Sequence, residues 1–285
     1  MQNPLLKTYP LVSIVTPSYN QGRFIEETIQ SVLNQDYPNL EYIIVDGGST
    51  DGTLDILKTY GGRIRWISEP DSGQSEAVNK GFRMSRGEIL GWLNSDDTYI
   101  PGAIRCAVEY LVGHPEVAMM YGDGYEVDGQ GRRVRKFPTP EKFDLDRLMY
   151  RWNYIQQPAV FMRRDPLFEV TLLDPTLHWS MDYDLWIRIG RQYKIAYFPV
   201  PLANLRNYMT TKTASGGLPR LREIIKVIRR HGGRRYPPAF FIYSLWILEN
   251  ILRKKSPRLN RLLLKLSLGR VRYWMRRTIL GSRES

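Results

Sequence analysis

Two adjacent aspartates, Asp96 and Asp97, end a short apolar run, and their pairing could serve chemistry. Neighbouring carboxylates repel each other and resist ionising together. A bound cation or hydroxyl donors would relieve that repulsion, since carboxylate oxygens are the ligands that hard divalent cations prefer. The alternative is a solvated turn in which an aspartate caps a helix that begins near Pro101. A second pair of acids, Asp182 and Asp184, opens a predicted helix further along the chain.

The composition indicates a globular protein with an uneven charge. The chain has 285 residues, 42% of them hydrophobic and 12% aromatic, enough for one large domain or a domain with an appendage. Residues 218–285 contain 18 Lys+Arg and 3 Asp+Glu, a balance of +15, whereas the preceding residues carry 23 against 26, a balance of −3. Any argument from charge to a binding partner therefore concerns the tail.

Other features bear on the cellular compartment. The single cysteine, Cys106, excludes an internal disulfide and a metal site built from cysteines. The first ten residues lack the basic and apolar blocks of a signal peptide. The longest uncharged apolar stretch, residues 236–248, is shorter than the roughly 20 residues of a spanning helix. We therefore expect a cytoplasmic protein without transmembrane segments.

The first hundred residues alternate between apolar runs and segments with helical spacing. The apolar runs have no polar face, which is typical of parallel strands covered on both sides. Ligands bind such sheets at the carboxyl ends of the strands. The four runs end in polar segments that should gather at one edge: "TPSYN", "DGGSTD", "EPDSGQ" and "NSDD". The aspartate pair is thus predicted to be one corner of a cleft.

The rest of the chain is predicted to be more varied. It contains a strand and hairpin turning at residues 129–131, a strand at residues 156–164, and a helix beginning near "SMDYDLW". Residues 210–219 predict a mobile loop or linker. The basic tail follows, with one apolar helical face at Leu221, Ile224, Ile225 and Ile228, and another at Val271, Trp274, Met275 and Ile279.

These motifs resemble those of the family 2 glycosyltransferases of the GT-A fold. The resemblance covers about residues 10–213 and rests on several spaced segments in the right order: "VSIVTPSYNQGRF", "YIIVDGGSTDGT", "SEPDSGQSEAVNKGF", "EILGWLNSDD" and "MDYDLWIRI". It implies an α/β, Rossmann-like, mainly parallel sheet flanked by helices. We expect a catalytic domain over residues 1–217, with a nucleotide-sugar half at about 10–100 and an acceptor half at about 101–213. A basic amphipathic helical extension would occupy residues 218–285.

The resemblance also implies a reaction: transfer of one sugar, with inversion, from a nucleotide-diphosphate sugar, with Mg²⁺ or Mn²⁺. Asp97 matches the family's metal ligand, and Asp96 matches the acid that faces ribose or sugar hydroxyls. Thr16, Pro17, Tyr19 and Asp46 match the family's pocket for the nucleotide base, in which Asp46 would accept the ring N–H. Asp71 and Gln74 match the polar corner near the donor sugar and ribose. For Asp46, an ordinary cap of a glycine turn is the alternative. UDP-hexose is the expected donor because UDP is the commonest nucleotide in the family.

On the acceptor side, Asp182 matches the family's general base, which removes the proton of the attacking hydroxyl. Asp184 is expected to be a cap or a structural acid. Gln157 and His178 are weaker acceptor-side candidates, with a strand-edge turn and a packing role as alternatives. Two departures from the family pattern concern the metal: Asn94 replaces the first acid of the usual motif, and Tyr208 stands where a histidine is common.

Other functional classes fit less well. A nucleotidyltransferase would carry a glycine-rich, basic phosphate loop directly after the first strand, and "TPSYNQGRF" lacks one. The basic tail suggests a second alternative, a non-enzymatic nucleic-acid-binding protein, but an acidic cleft repels phosphate backbones. We expect no nucleic-acid partner. The predicted acceptor is a saccharide or lipid-linked saccharide of cell-surface polysaccharide synthesis, and the tail, residues 218–285, is predicted to bind an anionic membrane from the cytoplasmic side.

Overall fold

The structure is a computed structural model, and it describes residues 9–137, 141–150, 153–208, 211–212 and 216–233. Within these residues nine strands form a single mixed sheet, with helices packed on its faces. The α/β architecture expected from the sequence is therefore confirmed.

The first half of the chain alternates strictly between strands and helices. Its elements are β1 (Val12–Ser18), α1 (Ile25–Leu33), β2 (Leu40–Asp46), α2 (Thr53–Thr59), β3 (Arg65–Ser68), α3 (Gln74–Met84) and β4 (Ile89–Trp92). The strands pair in the order β3-β2-β1-β4, and all of these pairings are parallel. The four polar segments predicted to gather at one edge therefore do so.

Helix α3 lies close against the sheet because residue 81 is a glycine. A Cβ atom at Gly81 would stand 2.3 Å from Cγ1 of Val15 on β1, so a larger residue would push the helix away. The apolar face of α3 includes Ala77, Val78 and Phe82, all buried as the helical spacing predicts. This close packing sets the position of the first turn of α3, which borders the cleft described below.

The second half of the chain mixes strand directions. Its elements are β5 (Thr98–Tyr99), α4 (Ala103–Gly113), β6 (Val117–Val127), β7 (Arg133–Lys136), α5 (Leu145–Tyr150), β8 (Val160–Arg163), α6 (Arg164–Glu169), α7 (Met181–Gln192), β9 (Lys194–Arg206) and α8 (Gly217–Arg230). The sheet continues from β4 as β8-β6-β9-β5, and β7 forms the predicted hairpin with β6. Strand β8 is antiparallel to both of its neighbours. It begins at Val160, later than predicted, because a 3₁₀ turn occupies residues 157–159.

Helix α8 contains the first residues of the basic tail, and it packs on the catalytic body. Its buried residues are Leu221, Ile224, Val227 and Ile228, three of which belong to the core around α7. Val227 occupies the place predicted for Ile225, which is half-buried. The helix also begins at Gly217, so the loop predicted for residues 210–219 is shorter than expected. The division into two domains at residue 217 stays a prediction.

None of the helices in the described ranges has both the length and the apolar character needed to cross a bilayer. The remainder of the tail, residues 234–285, which includes the predicted face at Val271, Trp274, Met275 and Ile279, lies outside the described residues.

Candidate active site

A cavity of about 610 Å³ opens at the carboxyl edge of the parallel strands. Its walls come from the ends of β1 and β4, the start of α3, the end of β9 and the segment before α7. Acidic residues contributed by several of these elements line it: Asp71, Asp96, Asp97, Glu126 and Asp182. Residues that are far apart in the sequence thus share one cleft, as expected for a ligand site on this type of sheet.

One wall of the cleft contains several of the predicted donor-binding residues. Pro17, Tyr19, Asp71 and Gln74 all line it. The Tyr19 side chain is 61% exposed, although large aromatic side chains are usually buried. An exposed ring at the mouth of a cleft is available for stacking on a planar ligand.

The structure does not place Thr16 or Asp46 in this cleft. Thr16 is fully buried, and its Oγ1 lies 3.0 Å from the Tyr42 hydroxyl. Asp46 is also fully buried, and its Oδ2 accepts hydrogen bonds from the backbone N–H of Ser49 at 2.8 Å and from the Ser68 hydroxyl at 2.7 Å. These side chains stabilise the end of β1 and the glycine turn, and their assignment to the donor site stays a prediction.

Asp71 lines the cleft beside the glycine turn that follows Asp46. A Cβ atom at Gly47 would stand 2.8 Å from Asp71 Oδ2, so the Asp71 carboxylate lies directly over this glycine. Asp71 Oδ1 accepts a hydrogen bond from the Gly73 backbone N–H at 2.8 Å. Burial raises the pKa of the Asp71 carboxyl above its usual range. The glycine turn therefore makes room for a carboxylate contributed by the loop after β3.

The two aspartates of the pair both line the cleft, but they differ in burial and in hydrogen-bond partners. Asp97 is 1% exposed, and its carboxylate accepts hydrogen bonds from the Arg206 backbone N–H at 2.8 Å and from Asn94 Nδ2 at 3.2 Å. Asp96 is half-buried, and its Oδ2 accepts a hydrogen bond from the Tyr208 hydroxyl at 3.0 Å. Asp96 is thus the more accessible of the two carboxylates, and the assignment of Asp97 as the metal ligand stays a prediction.

Tyr208 and Arg206 hold Asp96 from the end of β9. Arg206 Nε donates to the backbone oxygen of Asp96 at 2.8 Å, and the Tyr208 ring packs against Phe24 with centroids 5.1 Å apart. Burial and the neighbouring Asp96 carboxylate raise the pKa of the Tyr208 phenol. Tyr208 is therefore a neutral hydrogen-bond donor where the family often has a histidine.

Asp182 lies in the first turn of α7 and also lines the cleft. Its Oδ2 accepts a hydrogen bond from Asn153 Nδ2 at 3.2 Å. Burial raises the pKa of the Asp182 carboxyl, and the positive charge of Arg220 partly opposes that rise. A half-buried carboxyl with a raised pKa is suited to accepting a proton near neutral pH.

Asp184 faces away from the cleft, as expected for a structural acid. It is 1% exposed and accepts hydrogen bonds from Arg188 Nε at 2.8 Å and from His231 Nε2 at 2.9 Å. Burial would raise the pKa of Asp184, but these two hydrogen bonds outweigh it and hold the pKa below its usual range.

The two weaker acceptor-side candidates differ in their surroundings. Gln157 borders the cleft, but its Nε2 donates to the Trp92 backbone oxygen at 2.6 Å and its Oε1 accepts from Asn94 Nδ2 at 3.0 Å. These bonds make Gln157 a structural link to the end of β4. His178 lines the cleft with an exposed side chain, so its acceptor-side role stays a prediction.

Comparison with known proteins decides the family. The sequence profile of "Glycosyl transferase family 2" matches residues 13–171, more than half of the chain. The chain belongs to glycosyltransferase family 2. It is 42% identical over 194 residues to TuaG of Bacillus subtilis, which is named for teichuronic acid biosynthesis, covering 66% of this chain and 75% of TuaG. Other curated relatives are longer, and this chain spans about a third of their length, 30% and 32% in two of them.

Solved structures show that the family 2 glycosyltransferase has the GT-A fold. TarS of Staphylococcus aureus in complex with UDP-GlcNAc superposes with a TM-score of 0.63 and 18% identity, over 93% of this chain and 78% of TarS. Mannosyltransferase PcManGT of Pyrobaculum calidifontis in complex with GDP-Man and Mn²⁺ gives 0.65 and 17%, over 95% of this chain and 83% of PcManGT. At these identities the likeness concerns the fold alone.

The residues of this glycosyltransferase fit a divalent cation only in part. In the described ranges no group of three or more His, Cys, Asp or Glu side chains is arranged to hold a metal ion by itself. Asp96 offers a carboxylate at the cleft and accepts a hydrogen bond from the neutral phenol of Tyr208. Asp97 lines the same cleft. This donor set suits a hard cation that takes most of its remaining oxygen ligands from a bound diphosphate and water.

Sequence reasoning did not identify three residues around this glycosyltransferase's cleft. Lys212 lines the cleft and donates to Gln74 Oε1 at 2.9 Å, and burial lowers its pKa to about 8. Arg220 also lines the cleft, and Glu223 binds the loop that leads into α7. All three residues follow Tyr208 and lie in segments predicted from the sequence as a linker and a separate tail. For Glu223, the only signal in the sequence was an acidic residue at helical spacing among basic residues.

Proposed function

We propose that this family 2 glycosyltransferase transfers a single sugar, with inversion, from a nucleotide-diphosphate sugar to a hydroxyl of a saccharide or lipid-linked saccharide. The observation that carries the proposal is that Asp71, Asp96 and Asp182, from three separate segments of the chain, line a single cleft. A donor held by the first two residues would present its anomeric carbon between the diphosphate and a base. UDP is the first candidate nucleotide, because TarS, a protein of the same fold, was solved with UDP-GlcNAc.

The donor's base would lie between the Tyr19 ring and the Asp71 carboxylate. Tyr19 supplies an exposed face for stacking, and Asp71 supplies an acceptor for the ring N–H of a pyrimidine. This proposal assigns to Asp71 the contact with the ring N–H that was expected of Asp46. Lys212 adds a cation to the same cleft, and a cation suits the negative charge of a diphosphate.

We propose that Mg²⁺ or Mn²⁺ supports the departure of the diphosphate. When bound, such a cation neutralises the charge that develops on the leaving group. Asp96 would hold it, because this carboxylate faces the cleft and carries a partner on one oxygen. Tyr208 and Arg206 would keep Asp96 in place. PcManGT, which has the same fold, was solved with GDP-Man and Mn²⁺.

Asp182 would act as the general base. The acceptor oxygen forms a bond to the anomeric carbon from the face opposite the diphosphate, and its proton passes to the Asp182 carboxylate. The bond between the anomeric carbon and the diphosphate oxygen breaks, and the electron pair leaves with the diphosphate. Asn153 orients the carboxylate by donating to its Oδ2 at 3.2 Å. Attack from the opposite face inverts the anomeric configuration.

The acceptor is proposed to belong to cell-surface polysaccharide synthesis. TuaG is named for teichuronic acid biosynthesis, and a further relative, from Myxococcus xanthus, is named as an O-antigen biosynthesis protein. A cleft of about 610 Å³ has room for a donor nucleotide and part of a sugar chain.

The function is tested with a panel of nucleotides and nucleotide sugars. UDP is expected to raise the melting temperature in the presence of Mn²⁺, and more than GDP or ADP does. A donor that stabilises the protein should then be hydrolysed slowly when no acceptor is present. No stabilisation by any nucleotide diphosphate, with or without Mn²⁺, would contradict the proposal.

We further propose that the protein binds the anionic inner surface of the cell membrane through its basic tail. The exposed face of α8 supports this: Leu218, Arg222, Lys226 and Arg229 recur at helical spacing and are all exposed. Each basic residue near an anionic surface contributes about 1 kcal/mol of binding. The same helix carries Arg220 at the cleft, so binding would bring the site towards a lipid-linked acceptor.

Co-sedimentation with liposomes of increasing anionic content tests this second proposal. The full chain should bind in a salt-sensitive manner, and the variant R222Q/K226Q/R229Q should bind more weakly. A chain ending after Gly233 keeps the packed helix α8 and measures the contribution of residues 234–285. Binding that is unaffected by both changes would contradict the proposal, and nucleotide binding by both variants verifies that the catalytic body is intact.

A further inference from the structure

One wall of the cleft contains an amide that the fold leaves without a partner. Gln156 is 1% exposed, and neither its Oε1 nor its Nε2 has a hydrogen-bond partner within the described part of the chain. Buried side-chain amides are almost always paired, because an unpaired one loses its hydration without compensation. The neighbouring Gln157 shows the usual situation, with both ends of its amide hydrogen-bonded to the fold.

The position of Gln156 is built into the sheet. A Cβ atom at Gly124 on β6 would stand 1.9 Å from Gln156 Oε1, so only glycine leaves room for the amide at this point. Gln156 also lies on the segment that connects the two halves of the proposed machinery. Asn153, three residues before it, touches Asp182, and Gln157 touches Asn94 beside Asp97. Gln156 is therefore a residue of the cleft wall, on the same segment as Asn153, which contacts the proposed base.

Two neighbours on the β6–β7 hairpin complete this part of the wall. Glu126 lines the cleft, is 8% exposed, and is fixed by Arg135, whose Nε and Nη2 donate to its two oxygens at 2.9 and 2.7 Å. Phe137 lines the cleft beside it, and its backbone N–H donates to the Gly124 oxygen at 2.8 Å. The wall thus combines an amide, a fixed carboxylate and an aromatic ring.

We propose that Gln156, Glu126 and Phe137 form the acceptor subsite, and that it takes a pyranose ring with two neighbouring hydroxyl groups. An amide presents a donor and an acceptor side by side, and two adjacent hydroxyls present the complementary pair. The Glu126 carboxylate accepts from a further hydroxyl, and Phe137 packs on the apolar face of the ring. This inference rests on the proposed function, since it identifies the sugar ring that brings its hydroxyl to Asp182.

Saturation-transfer NMR on the full chain loaded with UDP and diamagnetic Mg²⁺ tests the subsite. The probes are methyl glycosides of glucose, galactose, mannose and N-acetylglucosamine at millimolar concentration. At least one probe should bind the wild-type protein, and Q156L should weaken its binding at least tenfold. Because leucine places an apolar group of similar size in a position where the amide has no partner, the melting temperature of Q156L should equal or exceed that of the wild type.

Q157L is the matched control, because the same substitution there removes two hydrogen bonds of the fold. It should lower the melting temperature, whereas Q156L should not. Equal probe binding by the wild type and Q156L, no probe binding by the wild type, or a lower melting temperature for Q156L would overturn the inference. Absence of any stabilisation by UDP in the wild type would instead count against the proposed function, so the two failures are distinguishable.

Discussion

The carboxylate of Glu223 on α8 accepts a hydrogen bond from the backbone N–H of Ser180, the residue before α7, with Oε1 and N 2.6 Å apart. The same carboxylate accepts from the N–H groups of His178 and Trp179 at 2.8 and 2.6 Å. The first helix of the basic tail thus fixes the loop that leads to Asp182. The tail helix is therefore a part of the site, whether or not it also meets a membrane.

Replacing Glu223 tests this link. E223A removes the acceptor of three backbone N–H groups, so the loop before α7 should loosen and the turnover number for transfer should fall at least tenfold. Asp71 and Asp96 keep their contacts, so stabilisation by UDP should be retained. R222A, an exposed residue of the same helix, is the control. Equal turnover in E223A and R222A would contradict the positioning role.

Binding of the donor's nucleotide base should depend on Asp71 and not on Asp46. D71N should weaken UDP binding about tenfold, since a hydrogen bond to a charged group contributes about 1.5–3 kcal/mol. D46N should leave UDP binding nearly unchanged but lower the free energy of unfolding, because Asp46 is fully buried and accepts several hydrogen bonds. Calorimetric titration with UDP and chemical denaturation measure the two effects. Loss of UDP binding in D46N alone would restore the assignment made from sequence.

Binding of the cation should likewise depend on Asp96 and not on Asp97. D96A should abolish the additional stabilisation that Mn²⁺ gives in the presence of UDP. D97N should chiefly reduce stability, because Asp97 is buried and bonded to Arg206 and Asn94. Thermal shifts with and without Mn²⁺ provide the comparison. If D97N loses the Mn²⁺ effect and D96A keeps it, the structural argument for Asp96 fails.

The two acids of α7 should differ in kind. D182N cannot accept a proton and should reduce transfer by about 10²–10⁴, with UDP binding unchanged. D184N should reduce stability. The pKa of Asp184 is held below its usual range, so its contribution is present above the ordinary pKa of about 3.9 and is lost as the pH falls through the folded-state pKa. At pH 7, D184N should therefore be less stable than the wild type, whereas at pH 3 the unfolding curves of the two proteins should lie closer together. A transfer defect in D184N but not in D182N would show that the base is Asp184, two residues further along the chain.

Donor binding should weaken at alkaline pH, because Lys212 loses its positive charge there. Burial lowers the pKa of Lys212 to about 8, so above this pH the side chain becomes neutral and the affinity for UDP should fall. K212R keeps the charge at all accessible pH values and should bind UDP with less dependence on pH between 7 and 9. UDP affinities measured across this range test the expectation, and identical pH profiles for both proteins would contradict it.

The sequence predicted the elements and the edge at which they meet. Apolar runs without a polar face specified parallel strands, and the polar segments after them placed Asp71 and Asp96 at one edge, as observed. The helical spacing of α7 put Asp182 and Asp184 on one helix, and the prediction that Asp184 is structural agrees with its buried hydrogen bonds. These features follow from local periodicity, which a single chain displays directly.

The direction in which individual side chains point could not be obtained in this way. Asp46, Asp97 and Gln157 each have the residue type expected of a ligand group, yet each has its polar atoms occupied by the fold. Asp97 and Gln157 line the cleft together with their neighbours Asp96 and Gln156, so the lining alone does not distinguish between them. In a tight turn or at the end of a strand, adjacent side chains point to opposite sides, so a choice between neighbours depends on contacts with other elements.

The sequence by itself therefore determined the fold class, the family resemblance and the edge that carries the site. Only the tertiary structure decided which of two adjacent acids is the more exposed, that Asp71 lies over Gly47, and that α8 packs on the body and holds the loop before Asp182. The physical reason is the range of the interactions involved. Strand and helix patterns are set by near neighbours, whereas burial and hydrogen bonding at the site join residues more than forty or one hundred positions apart.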